Sequence, residues 1–274
     1  SHMIDHPLRQ SSANELHARP FPTVAAPARA AFFAYKSSDD ETGRDEVADR
    51  THLCRLLDMY DVAHPDDGAT HFFGQLGSVW VKWECHTEFV TYTAILDDKG
   101  NVPFDGSEFD IFPAEWLADL PGLTLSSTSL RIESDLETES IKGKLSDWFV
   151  SESLAVSRVL DNAAVIAGDY RMDGNGHLRF AVFVPPSTGR RRVGRIVQRL
   201  NEIEVYKTMS MLGLIRARAL SSQLNLVDTE MSELVAALAD DQISAEDNLH
   251  ALLRLSAKLE HHSARVAYRF AASK

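Results

Sequence analysis

The sequence predicts an α+β fold: a mixed, mainly antiparallel sheet with flanking helices, followed by a C-terminal helical module. Three observations carry it. Alternation of apolar and polar residues with period two is strongest from Val79 to Thr93. The tetrapeptide Asp173-Gly174-Asn175-Gly176 joins two β-prone runs, Val165 to Arg171 and His177 to Val184, as a hairpin turn would. After Pro185-Pro186 the apolar spacing turns helical, and no proline occurs between Gly189 and Ala239. Strands first and helices afterwards is the order of an α+β chain rather than an alternating α/β one. The expected organisation is an α+β domain over residues 4–187 and a helical module over 188–274.

Taken in order, Pro20, Pro22 and Pro27 block a helix and predict an extended segment wrapping the domain before a strand at Ala30 to Tyr35. An acidic loop follows from Lys36 to Asp45. Val47, Leu53, Leu56, Leu57 and Met59 among charges predict an amphipathic helix that ends before Pro65-Asp66-Asp67-Gly68. The alternating run Val79 to Thr93 would span about 50 Å as one strand, so a bend is expected near Cys85 to Thr87. Asp97 to Gly100 reads as a turn, and Pro113 to Leu120 as a short helix. Strands are expected at Thr124 to Ile132 and Ala163 to Arg171. The helical stretch from Gly189 is expected to divide in two at a cap, Asp228 or Thr229. A last helix runs from Ser244, its N-cap, towards Ser273, and no glycine or proline stops it.

Composition narrows the function. The 274 residues are 44% hydrophobic, 25% charged and 8% aromatic, the profile of an ordinary globular protein. A net charge of −12 excludes a nucleic-acid protein driven by bulk electrostatics, so nucleic acid is not an expected partner and any anion site must be local. No apolar stretch approaches the roughly 20 residues that span a bilayer. Ser1-His2-Met3 reads as the remnant of a removed tag, no secretory segment follows, and the unstopped last helix predicts that the natural chain continues past Lys274. Cys54 and Cys85, in unlike contexts, are expected to be reduced and structural.

Three constellations could carry chemistry. Glu84, His86 and Glu88, with Lys82, share one side of the expected strand; they could hold a metal or pair a base with an orienting carboxylate, or simply form its polar face. Glu15, His17 and Arg19 share one side of the extended segment; they could bind an anion, form an acid–base pair or clasp the arm to the domain as salt bridges. Arg190, Arg191, Arg192, Arg195 and Arg199 open a helix with no acid among them, an arrangement that opposes the helix dipole unless an anion neutralises both. Pairing with Glu202, Glu204 and the acidic loops is the alternative. The spacing is not that of a Walker A loop, and neither Gly-x-Ser-x-Gly nor His-Glu-x-x-His occurs. His261-His262 cannot both face one direction on a helix.

Three segments carry a resemblance that runs nearly end to end: Asn14-Glu15-Leu16-His17-Ala18-Arg19-Pro20, Lys82-Trp83-Glu84-Cys85-His86-Thr87-Glu88-Phe89-Val90-Thr91-Tyr92-Thr93, and Gly194 to Glu204. On these the chain resembles a proteobacterial family of predicted membrane-anchored proteins of unassigned function. Cys85 stands where the family pattern has arginine, and Asn201 where it has leucine. The resemblance implies a chain that continues to a hydrophobic anchor and a place on the cytoplasmic face of the bacterial inner membrane. Leu76-Gly77-Ser78-Val79-Trp80 and the order of sheet, helices and anchor are loosely similar to the mitochondrial family named for meiotic nuclear division. The first functional expectation is a non-enzymatic scaffold or binding protein. It would form a homo-oligomer through its C-terminal helices, reach the membrane through its missing C-terminal segment and bind a phosphorylated or other anionic ligand at the arginine cluster. The rival is a metal-dependent or acid/base hydrolase using Glu84, His86 and Glu88 with His17. Neither calls for a cofactor.

Overall fold

Asp45 shows how the local chemistry sets the elements: its carboxylate accepts from the Val47 and Ala48 amides and starts a helix that buries Leu53, Leu56 and Leu57. In the computed structural model, which describes residues 22–37, 44–160, 163–238, 246, 249–250 and 252–260, the elements follow in this order. They are β1 (Ala28–Lys36), α1 (Glu46–Met59), β2 (His71–Leu76), β3 (Val79–Cys85), β4 (Val90–Leu96), α2 (Ala114–Ala118), β5 (Leu123–Ser134), α3 (Thr138–Trp148), β6 (Ala155–Val159), β7 (Ala164–Met172), β8 (Leu178–Val184) and α4 (Arg190–Leu238). The strands form one mixed sheet in the order β2-β3-β4-β1-β5-β8-β7-β6, antiparallel at each pairing but β5–β8. The α+β class with a mainly antiparallel sheet is therefore the observed one.

Alternation assigns the two sheet faces. On one face Ala31, Phe33 and Tyr35 of β1, Val81 and Trp83 of β3 and Tyr92 of β4 pack against Leu53, Leu56 and Leu57 of α1 and Trp116 of α2. Towards the other edge, Val165, Ala167, Ala181 and Phe183 pack on Ile141 and Leu145 of α3. Between these two clusters the same face of β5 is polar, with Ser127, Ser129, Arg131 and Glu133 in succession. The opposite face buries Ala30, Phe32, Leu130, Ile132 and Val182. There Lys82 of β3 donates to Gln198 of α4 at 3.2 Å, and Val193, Ile196, Val197, Asn201 and Val205 of α4 are buried.

Two expectations are corrected. The run Val79 to Thr93 is a hairpin, not one bent strand: Cys85 pairs with Val90, and the His86 amide donates to the Phe89 carbonyl at 2.9 Å. The apolar parity gives the reason, since Val79, Val81, Trp83 and Cys85 face the helices from odd positions whereas Val90, Tyr92 and Ala94 do so from even ones. The expected break at Asp228 or Thr229 is also absent, and α4 runs through both. The Thr229 hydroxyl donates to the Asn225 carbonyl at 3.0 Å and the Ser232 hydroxyl to the Asp228 carbonyl at 2.9 Å, so these hydroxyls bond back to their own helix instead of capping a new one. The short helix is trimmed to Ala114–Ala118 with Pro113 as its cap residue.

By their contacts the residues divide into one unit of 1–38 and 44–205 and another of 39–43 and 206–274, with the boundary inside α4. In the second unit residues 252–260 are helical, Lys258 pairs with Glu230 at 2.7 Å, and Val227 and Leu255 are buried. Among the described residues no helix is long and apolar enough to cross a membrane. Cys54 and Cys85 are both free thiols; burial pushes Cys85 up to about 11.

Candidate functional site

The first turns of α4 are built from an arginine-rich sequence whose apolar positions recur at helical spacing. At 100° per residue, Arg191, Arg192, Arg195 and Arg199 fall within an arc of about 100°, opposite the buried Val193, Val197, Asn201 and Glu204. All five arginines of the cluster are exposed. No acidic residue occupies the first turn, where the helix dipole is already positive. Arg190 lies 3.5 Å from Asp97 with 60% of its side chain exposed, a pairing worth little in water. Arg191, Arg192 and Arg199 make no ion pair among the described residues. The chemistry of such a stripe is that of a fork-shaped donor array for oxyanions.

Gly194 explains how this part of α4 is held. Its Cα faces the chain just before β1, and a Cβ there would sit 1.6 Å from the Pro22 carbonyl oxygen. The Val24 amide donates to the Arg190 carbonyl at 3.1 Å. The segment from Pro22 to Val24 thus crosses the helix at the point where glycine allows close approach. Glu15, His17 and Arg19 lie outside the described residues.

The expected carboxylate–imidazole face is dispersed. Lys82 and Glu84 remain on β3 and pair with each other at 3.0 Å, both largely buried. His86 stands in the hairpin turn with its ring stacked on Phe89 at 4.4 Å. Glu88, in the same turn, pairs with Lys36 at 3.0 Å. The parity change at the turn moves His86 and Glu88 off the row that begins with Lys82 and Glu84. Among the described residues no three His, Cys, Asp or Glu side chains are grouped so as to hold a metal ion.

Sequence reading missed a polar row along β5. The Ser127 hydroxyl lies 2.7 Å from His177 Nδ1, and the His177 ring stacks on Phe109 at 3.9 Å. Ser129 donates to Glu108, Arg131 to Glu133 at 2.6 Å, and Lys144 bridges Glu133 and Asp135 at 3.2 and 3.1 Å. Burial lowers the His177 pKa against the opposing pull of Asp173 and Glu108. Asp135 is pulled down to about 2 by the Ser140 hydroxyl, the Glu137 amide and Lys144. The signal was the polar residue at every second position from Ser127 to Glu133, which marks a strand face covered by charged partners. On the other face, Ser126 Oγ, Thr128 Oγ1 and Asn201 Oδ1 are buried without a hydrogen-bond partner among the described residues.

Two of the three segments that carry the resemblance thus meet, through Lys82 and Gln198, and Pro22, just past the first segment, rests on Gly194. A comparison with curated proteins finds no match. The sequence model of one family, described as a protein of unknown function (DUF3422), matches residues 4–274, and the chain belongs to that family.

Proposed function

We propose that this chain is a binding module, not a catalyst: a self-associating scaffold that holds an anionic partner on the arginine stripe of α4. The observation that carries it is the exposed set Arg190, Arg191, Arg192, Arg195 and Arg199 at a helix start with no acid in the first turn, in a chain of net charge −12. Arg29 pairs with Asp98, Arg44 with Asp49, and Arg179 with Asp169, each of these arginines far less exposed than Arg190 beside Asp97. Family resemblance supports a proteobacterial, membrane-anchored parent protein, with this module on the cytoplasmic face of the inner membrane. The hydrolase alternative has less support, because Glu84 is engaged by Lys82 and Glu88 by Lys36.

Calorimetric titration with inorganic pyrophosphate at low ionic strength tests the stripe. Binding should weaken as salt is raised. The triple substitution Arg191→Glu, Arg195→Glu, Arg199→Glu should lower affinity at least about ten-fold while the circular dichroism spectrum is kept, as expected for exposed positions. Equal affinity in the variant would remove the stripe as the site.

A further inference from the structure

The face of the sheet that α4 covers ends, at its β2 edge, in a partly exposed aromatic pair. Phe73 and Trp80 stack with ring centroids 5.1 Å apart and planes 16° from parallel; Phe73 is 41% exposed and Trp80 half-buried. Cross-strand pairing puts Phe73 opposite Lys82 and Gln75 opposite Trp80, so all four share the side on which Lys82 meets Gln198 of α4. Exposed aromatic surface on an edge strand invites association, and such strands ordinarily carry charge instead. Here it borders the arginine stripe.

Two contacts fix the course of α4 over this face. Through β4, Lys82 lies in line with Phe32 of β1 and Trp80 with Ala30. Val24, whose amide bonds the Arg190 carbonyl, is four residues before Ala28 and so within about 14 Å of the start of β1. Arg190 and Gln198 are about 12 Å apart along the helix. With Gln198 beside Lys82, α4 runs from the Ala28 end of β1 towards Phe32, the direction of β3 as well, and Trp80 stands beside the turn of Gly194 and Arg195. At 100° per residue Arg191 and Arg195 lie about 20° and 60° round from Gln198, on the outward part of the flank turned towards β3 and the β2 edge. Both are exposed. On the same side Glu84 and Glu202 are engaged by Lys82 and Gln198, at 3.0 and 2.8 Å.

We infer that Phe73 and Trp80 on one side and Arg191 and Arg195 on the other form a site for a nucleoside diphosphate, with its base on the aromatic pair and its phosphates on the guanidinium groups. The inference rests on the anion binding proposed above and names the class of anion. Guanidinium forks match phosphate oxygens but are indifferent to what the phosphate carries. The aromatic pair supplies the selection, because it offers a flat apolar face to a nucleobase and nothing to an inorganic anion. Gln75, exposed and opposite Trp80, sets a carboxamide at the rim, able to donate to and accept from the polar edge of a base. With the base on the sheet edge and the phosphates on the helix flank, the pentose bridges the two walls.

Calorimetric titration of the chain with ADP and with inorganic pyrophosphate, at equal ionic strength, tests this. The two ligands carry the same pair of phosphates and differ in the nucleoside. ADP should bind at least about ten-fold more tightly, as one stacked base provides, and should quench tryptophan fluorescence. Trp80→Phe should lose that quenching while keeping most of the ADP affinity. Trp80→Ala, and Phe73→Ser at the more exposed position, should each bring ADP down to the pyrophosphate affinity and leave pyrophosphate binding as it was. Pyrophosphate binding without a preference for ADP, a preference that survives both substitutions, or quenching that persists in Trp80→Phe would overturn the inference while leaving the stripe as an anion site. Binding of neither ligand would overturn both.

Discussion

Replacing Gly194 by alanine reverses a usual sign. At an exposed helix interior the exchange stabilises by about 0.5–1 kcal/mol, because alanine loses less backbone entropy. At Gly194 the new Cβ would lie 1.6 Å from the Pro22 carbonyl oxygen, far inside any allowed contact and against backbone. Either the helix or the segment from Pro22 to Val24 must move. Movement strains the 3.1 Å hydrogen bond from the Val24 amide to the Arg190 carbonyl, worth about 1 kcal/mol. Overpacking adds about 1–3 kcal/mol. Set against the propensity gain, the expected net loss is about 1–3 kcal/mol, with Tm lowered by about 2–4 °C for each kcal/mol in a domain of this size. Gly143→Ala in α3, where nothing lies within 4 Å of the added Cβ, is the control and should gain about 0.5–1 kcal/mol. Urea unfolding followed by circular dichroism reads both, with the slope of the transition showing whether the unfolded state has changed. A Gly194→Ala chain as stable as the parent would refute the crossing of α4 by this segment.

Burial lowers the pKa of both His52 and His177, so between the folded and unfolded values the unfolded chain binds more protons. Stability present at pH 7.5 should therefore fall as the pH drops below about 6.5. His177→Gln should flatten part of that slope in urea midpoints measured from pH 7.5 to 5.5; an identical slope would refute the role assigned to it. Asp135 acts at lower pH, its contribution present above about pH 4 and lost as the pH falls towards 2. Asp49 is 1% exposed and accepts from Tyr35 at 2.8 Å and Arg44 at 2.9 Å. Asp49→Ala should cost about 3–5 kcal/mol by leaving Arg44 without its buried partner, against about 1 kcal/mol for Tyr35→Phe, both read by chemical denaturation. Thr229→Ala should change stability by less than about 0.5 kcal/mol, since the residue is not a cap; a loss near 1 kcal/mol would restore the two-helix reading.

What the sequence made legible was whatever a short-range pattern controls. The Asp173 to Gly176 turn, the helix that carries Leu53, Leu56 and Leu57 and the strand around Phe32 and Phe33 stand where propensity and periodicity put them. β2 and β6 escaped because edge strands bury little: β6 has no buried residue to reveal its register. α3 offers only Ile141 and Leu145 as a buried face, too few for periodicity to mark. The hairpin at His86 to Phe89 was hidden because it lacks glycine, asparagine or proline, and only the parity change at Val90 betrays it. Of the candidate residues, Arg191, Arg192, Arg195 and Arg199 could be placed on one helix face from their spacing alone. The separation of Glu84 from His86 and Glu88 depends on a turn the local code does not signal.

The polar row along β5 has a dynamic consequence. Ser127, Ser129, Arg131 and Glu133 interrupt the helix-covered face of the sheet, so the cluster under α1 and the cluster under α3 do not merge there. Hydrophobic continuity is what makes a core open as one piece. On this face each half of the sheet carries its own apolar cluster, whereas on the other face the buried Leu130 and Ile132 of β5 continue from Phe32 of β1 to Val182 of β8. The half formed by α3, β6, β7 and β8 is therefore coupled to the half around β1, β3 and β4 through one face of β5, so the packing of that face decides whether the two open together. The strand that divides the apolar packing on one side of the sheet is the one that joins it on the other.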